Sequence, residues 1–221
     1  MDSWVVSFRY IAQQLPDLML AGRITLQASV LGAVLAFLWG LLLTVPRMSP
    51  SPLARRAVCG YIAVMRYTPL LVQMYLLYFG LPLAGVMLSG LACGVLALML
   101  QHGAFLAEVF RAAIQAVPEG QWLGGRSIGL RGGQVVVRII LPQALSKAMI
   151  PLGNEMVLLA KDTSLLAAIG VAELTLTGKM IAERSGGTAA VFVAIGLLYL
   201  VLTTLIGIAA RVFEYATRPK E

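Results

Sequence analysis

Polar and apolar positions in this chain segregate over whole segments rather than over single helical turns. Residues 24–46 carry no Asp, Glu, Lys or Arg, and neither do residues 67–107 or 185–210. The charges gather between these runs. Arg47, Arg55 and Arg56 follow the first; five basic residues and one acid, Glu119, occupy 111–147; three basic and three acidic residues share 161–184. A helix needs about 20 apolar residues to cross a hydrocarbon core about 30 Å thick. The pattern therefore predicts an all-α membrane protein of about five transmembrane helices, over residues 24–46, 57–79, 86–107, 144–166 and 185–210. Residues 1–221 read as a single transmembrane domain. Residues 1–20 mix Trp4, Phe8, Tyr10 and Leu15 with Arg9 and Asp17, which fits an interfacial segment better than a span. The opening MDSWVVSFRY lacks a basic start and a small-residue cleavage site, so the first span is expected to be retained.

Charge bias orients the spans. Loops rich in Lys and Arg stay in the cytoplasm, which places the arginines after the first span, the 111–147 loop and the tail RVFEYATRPKE inside. The N-terminus is then outside and the C-terminus inside. The uncharged GLPLAG at 80–85 and the balanced segment 161–184 fall on the outer side. Pro69 should bend the second span. The run Pro151-Leu152-Gly153, followed by Asn154 and Glu155, reads as a break in the fourth span. Broken backbone at membrane depth is tolerated where it is buried in protein or lines a cavity.

Composition sharpens this picture. The chain is 59% hydrophobic with a mean hydropathy of +0.87, and its net charge of +7 follows the loops, so no nucleic-acid partner is implied. Cys59 and Cys93 stand far apart in apolar surroundings, and the single histidine, His102, reads as a satisfied core residue; neither a disulfide framework nor a metal site is indicated. No nucleophile–base constellation is present, so an enzyme is not expected. No Gly-x-x-x-x-Gly-Lys-Ser/Thr loop is present either, so any ATP hydrolysis belongs to another chain. Polar residues at membrane depth are functional candidates by default. Arg66 lies about 15 Å beyond the Arg55-Arg56 boundary along a helix. Glu108 and Arg111 are three apart and share a helix face. Asn154 and Glu155 accompany the expected break, and Lys161-Asp162 reads as an interfacial pair. An ion-coupled secondary transporter or channel, with Arg66, Glu108 and Glu155 as a relay, is the alternative these charges allow.

The most basic and glycine-rich stretch is EGQWLGGRSIGLRGGQVVVRIILPQ, residues 119–143. Pro118 and Glu119 suit the first turn of a helix, Gly132 and Gly133 are expected to end the segment, and Pro142 punctuates the next apolar run. A short exposed helix on the basic side between spans 3 and 4 is suited to a cytoplasmic partner.

These residues also carry a resemblance. Permease subunits of bacterial ABC importers share a loop with an acidic residue and two alanines, then Gly, then Ile-x-Leu-Pro. Gly129, Ile139, Leu141 and Pro142 fall at the matching positions, while Leu123-Gly124-Gly125 replaces the acidic-Ala-Ala triplet. Gly120-Gln121, Gln143-Ala144-Leu145, the segment Arg66-Tyr67-Thr68-Pro69-Leu70-Leu71-Val72-Gln73, Lys161-Asp162-Thr163-Ser164-Leu165 and Val171-Ala172-Glu173-Leu174-Thr175 resemble the branch that carries polar amino acids. The resemblance implies a multi-pass protein of the bacterial inner membrane that forms the translocation path of an importer for polar amino acids or related compounds. Its implied partners are a second permease subunit, identical or sibling, two ATP-binding subunits and an extracytoplasmic solute-binding protein. ATP and Mg would bind the partner ATPase, with no cofactor on this chain. The loop 119–142 would be the coupling loop, contacting the ATPase through Gly120, Gln121, Trp122, Leu123, Arg126, Gly129, Arg131, Ile139, Leu141 and Pro142. The path would involve Arg66, Thr68, Gln73, Glu108, Asn154, Glu155, Lys161, Asp162, Thr163 and Ser164.

Overall fold

The computed structural model describes residues 11–185 and 188–217, and every regular element among them is helical. Helix α1 (Leu15–Arg47) has 33 residues, a length of about 50 Å, which exceeds the hydrocarbon core. Pro16 and Asp17 sit in its first turn, where a missing N–H costs nothing and a carboxylate complements the helix dipole. Residues 15–20 are thus continuous with the first span, residues 11–14 form a helical turn just before it, and residues 1–10 of the expected interfacial segment lie outside the described residues.

The second span is a bent pair. Helix α2 (Pro52–Tyr67) and helix α3 (Leu70–Tyr75), which runs on through wider and tighter turns to Ala84, meet at 104°. Pro69 is the cause: it lacks an N–H and drives Thr68 into extended backbone, φ −105° and ψ 141°. The carbonyls released by the bend are recovered by one side chain. Gln73 Nε2 donates to Met65 O at 3.0 Å, Thr68 Oγ1 at 2.8 Å and Thr68 O at 3.3 Å.

Helix α4 (Gly90–Gln115) is the axis of the bundle, with Ser89 Oγ accepting from Ala92 N–H at its start. It runs parallel to α1, since Gly32 meets Leu98 and Gly40 meets Leu106. The two backbones touch: a Cβ on Gly40 would lie 2.8 Å from Leu106 Cβ and 3.1 Å from Gly103 O. Between spanning helices, where lipid is as apolar as leucine, such close backbone approach is what holds a pair together. Helix α2 crosses this pair, with Trp39 Nε1 donating to Tyr61 Oη at 2.8 Å and Tyr61 Oη donating to Leu100 O at 2.9 Å.

After α4 come helix α5 (Glu119–Ser127) and helix α6 (Gly132–Val135); a wide turn over Val136–Ile140 then leads into helix α7 (Leu141–Asp162). The break expected at Pro151 is absent, because α7 continues through it. Pro151 deletes one hydrogen bond, to the Lys147 carbonyl, and packing on both sides keeps the rod together: Leu152 and Ala148 are buried in the main core. The chain breaks later, where the turn Thr163–Ile169 ends on Gly170 at φ +78°. Helix α8 (Leu174–Ser185) and helix α9 (Thr188–Thr217) close the bundle around Leu18, Ala21, Leu174, Ile181, Val191 and Ile195. Among the described residues four helical stretches are long and apolar enough to span a membrane, and counting the bent pair as one span gives five. Arg47, Glu108 and α5 lie at one end; Thr25, Gly90 and the Ile169–Val171 backbone lie at the other.

A candidate coupling surface and the polar clusters of the bundle

Helix α5 is placed by its own ends. Pro118 precedes it in extended backbone, φ −57° and ψ 141°. It stops at Gly129, φ +83°, with Gly129 N–H donating to Arg126 O at 3.0 Å and Leu130 N–H to Gly125 O at 3.2 Å. This paired closure needs a left-handed residue, which glycine adopts without strain. The segment therefore ends at Gly129; Gly132 and Gly133, expected to end it, open α6 instead.

The underside of α5 is tight and its outer face is free. Trp122 packs on the main core, and a Cβ on Gly125 would come within 2.8 Å of Ile139 Cδ1 and 3.0 Å of Val135 Cγ2. Gly124 faces open space. Gly120, Gln121, Leu123, Gly124 and Arg126 are exposed, with Leu123 at 65% and the following Ile128 at 74%. Arg131 and Pro142 are exposed, as is Leu141, while Ile139 is half-buried against α5. Gln143 Nε2 donates to Ile139 O at 2.9 Å and to Gln121 Oε1 at 3.3 Å, which ties α5 to the start of α7. Of the residues expected to couple, Trp122 and Ile139 are thus turned into the bundle, while Leu123, beside the still more exposed Ile128, stands out from it.

The residues expected along the path fall into separate groups. Thr68 and Gln73 hold the bend in the second span. Glu108 is held from two sides, by Arg47 Nε at 2.8 Å and Arg111 Nη2 at 2.7 Å. The i, i+3 pair was legible in the sequence; Arg47, 61 residues earlier, was not. Arg66 lies exposed with its guanidinium 4.9 Å from the centre of the Phe105 ring.

On α7, adjacent residues point different ways. Asn154 and Lys161 line a groove of about 700 Å³ against α9, together with Thr203 and Arg211. Glu155 and Asp162 face α4, where His102 is waiting. His102 Nδ1 is 2.7 Å from Glu155 Oε1, and its Nε2 is 3.2 Å from Asp162 Oδ2 but poorly aligned for a hydrogen bond. Its partners come from another helix, so no spacing around His102 reveals them. Thr163 Oγ1 is fully buried and donates to Ala160 O at 2.8 Å, closing the end of α7; Ser164 is half-buried beside it.

One cluster was not anticipated. Glu173, fully buried, accepts from Thr175 and Leu176 N–H at 2.9 Å and from Tyr199 Oη at 2.6 Å. It caps α8 and ties it to α9. Burial raises its pKa, and the backbone and side-chain donors pull it back part of the way. The signal was an acidic residue directly before the helical run LTLTGKM. Among the described residues no group of acidic, histidine or cysteine side chains could hold a metal ion.

Residues 29–219 match the family model for the inner membrane component of binding-protein-dependent transport systems. The chain belongs to this family. It is therefore a multi-pass permease of the inner membrane, a transport subunit rather than an enzyme, and the ion-coupled alternative is set aside. The permease is 34% identical over 214 residues to the probable amino-acid permease protein YxeN of Bacillus subtilis (strain 168), covering 96% of each chain. It is 33% identical over 202 residues to the glutamine transport system permease protein GlnP of Escherichia coli (strain K12), covering 90% of this chain and 92% of that one. Its fold superposes on the crystal structure of an amino acid ABC transporter with histidines, with TM-score 0.87, 30% identity and coverage of 93% and 96%. The inward-facing MetNI methionine transporter shares the fold at TM-score 0.71 and 20% identity.

Proposed function

We propose that this permease carries polar amino acids or closely related compounds, as one of two permease subunits that act with two ATP-binding subunits and an extracytoplasmic solute-binding protein. The observation that carries the reading is the exposed patch on α5. Leu123 and Ile128 present apolar surface at the end of the bundle that holds Arg47 and Arg111, the end that charge bias assigns to the cytoplasm. Seated in a groove of the ATPase, α5 passes force through Trp122 and Gly125 to Val135 and Ile139, and so into α7. ATP and Mg belong to the ATPase. The permease contributes the path and the lever.

The amino-acid assignment is supported by the relatives that carry that name, at about a third identity over most of the chain. Groups of both signs, as a zwitterion requires, are present but on different faces: Arg66 beside Phe105, Asn154 and Lys161 in the groove against α9, and Asp162 beside His102, which already holds Glu155. Copurification of the assembled complex, followed by ATP hydrolysis stimulated by loaded binding protein across a panel of amino acids, tests the reading. Hydrolysis that no amino acid stimulates, or a chain that copurifies with no ATPase, refutes it.

A further inference from the structure

A cleft of about 620 Å³ opens between α2, α4 and α7, lined by Arg66, Phe105, Glu108, Arg111, Lys147 and Pro151 among others. Its charges do not cancel. Glu108 is the acidic residue on its wall, and both carboxylate oxygens are taken, Oε1 by Arg47 and Oε2 by Arg111. Arg111 also meets Gln115. Arg66 and Lys147 have no carboxylate within ion-pair distance among the described residues. Two cations therefore face one cavity without compensation, and Arg66 stands two residues before the bend at Thr68.

Arg66 is also held for use. Its guanidinium carbon lies over the Phe105 ring, 4.9 Å from the centre, a cation–π contact that positions the group without a carboxylate partner. The N–H groups of a guanidinium form a planar fork that matches a carboxylate with two parallel hydrogen bonds. The volume is that of a site for a small solute. The wall begins at Phe105, ten residues before the end of α4 at Gln115, which puts the inner part of the cleft about 15 Å inside that helix end.

We propose that this cleft is an oxyanion subsite that takes the carboxylate of the amino acid in the cytoplasmic half of the path, with Arg66 as its principal donor and Lys147 as the second cation. The proposal rests on the amino-acid reading above. Basic pockets between spanning helices also take the phosphates of anionic lipids; Arg66 and Pro151, nine and seven residues inside their expected spans, favour the small solute, and the experiment separates the two sources.

The assembled complex is placed in phosphatidylcholine nanodiscs, with Cys59→Ser and Cys93→Ala to remove the native thiols and Ala112→Cys to report from the exposed wall of the cleft. Modification is timed with an anionic sulfonatoethyl and a cationic trimethylammonioethyl methanethiosulfonate. A cleft lined by one sign of charge concentrates counter-ions about tenfold or more, so the anionic reagent should react faster by about that ratio. Arg66→Gln and Lys147→Gln should each reduce the ratio, and Arg66→Lys should largely keep it. Because Arg66→Gln could fail to assemble, Lys147→Gln carries the same test independently. L-glutamine should slow the anionic reagent, and its decarboxylated analogue 4-aminobutanamide should not. Equal rates for the two reagents, or protection by added phosphatidylglycerol and not by L-glutamine, overturn the proposal, the second in favour of a lipid headgroup. Amino-acid-stimulated ATP hydrolysis without charge preference in the cleft overturns the subsite and leaves the importer reading standing. Charge preference without any amino-acid stimulation overturns the substrate reading and the ligand named here with it.

Discussion

Replacing Gly125 with alanine adds one methyl group to the underside of α5, and replacing Gly124 adds the same group one position along on its free face. In an isolated helix the two changes are equivalent, each favourable by about 1 kcal/mol in intrinsic propensity. The fold separates them. A Cβ at position 124 meets nothing within 4 Å, so Gly124→Ala should keep the whole gain. A Cβ at 125 lies 2.8 Å from Ile139 Cδ1 and 3.0–3.1 Å from the two methyls of Val135. Ile139 can turn its terminal methyl aside; the β-branched Val135, with one preferred rotamer in a helix, cannot do so cheaply. Overpacking of this kind costs about 1–3 kcal/mol, so Gly125→Ala should come out between neutral and about 2 kcal/mol destabilising. The reading that both glycines merely weaken the helix predicts two gains instead. Trp122 lies on the same underside, so thermal unfolding of the detergent-solubilised permease, followed by tryptophan fluorescence beside size-exclusion stability, reports the difference. Copurified ATPase measures the consequence for coupling: Gly124→Ala should preserve or strengthen it, and Gly125→Ala should weaken it by lifting α5 from Ile139. Equal stabilisation by both substitutions would refute the close packing and, with it, the route of force from α5 to α7.

Leu123→Asp removes exposed apolar surface whose full burial is worth about 1.5–3 kcal/mol, so ATPase copurification should fall about tenfold or more; no loss there, with complete loss in Arg126→Ala, would make the contact electrostatic. His102→Leu leaves Glu155 buried without its partner and should cost about 3–5 kcal/mol, while His102→Leu with Glu155→Leu should recover most of it; simple additivity of the two in thermal unfolding would show that they are not coupled. Gln73→Leu strips the amide from the bend at Thr68-Pro69 and should destabilise by about 1–3 kcal/mol, whereas Gln73→Glu, which cannot donate, should behave no better. Single cysteines at Ser51 and Gly132 should be labelled from the cytoplasm and one at Lys179 from the outside; labelling of Gly132 from outside would invert the orientation and remove α5 from the ATPase.

The number of spans, the bend and the position of the short helix between the third and fourth spans were legible in the sequence because each depends on a local property. Charge-free runs over 24–46 and 185–210 have one low-energy place, the hydrocarbon core. Pro69 cannot donate a hydrogen bond wherever it stands, and the Gly129 to Pro142 spacing is carried by consecutive residues. What stayed hidden was which way each helix faces. In a soluble protein a helix announces its buried side by contrast with water; here lipid and core are both apolar, so the sequence around Asn154 and Glu155 does not say that the first turns to α9 and the second to His102. The pairing of Arg47 with Glu108, across 61 residues, exists only once α1 packs on α4, and the fit of Gly125 on Val135 and Ile139 only once α5 packs on α6 and the turn that follows it. Pro151 shows the same limit from the other side. A proline predicts a lost hydrogen bond, but whether the helix breaks there depends on the neighbours that hold both halves in line, and those are set by the tertiary structure.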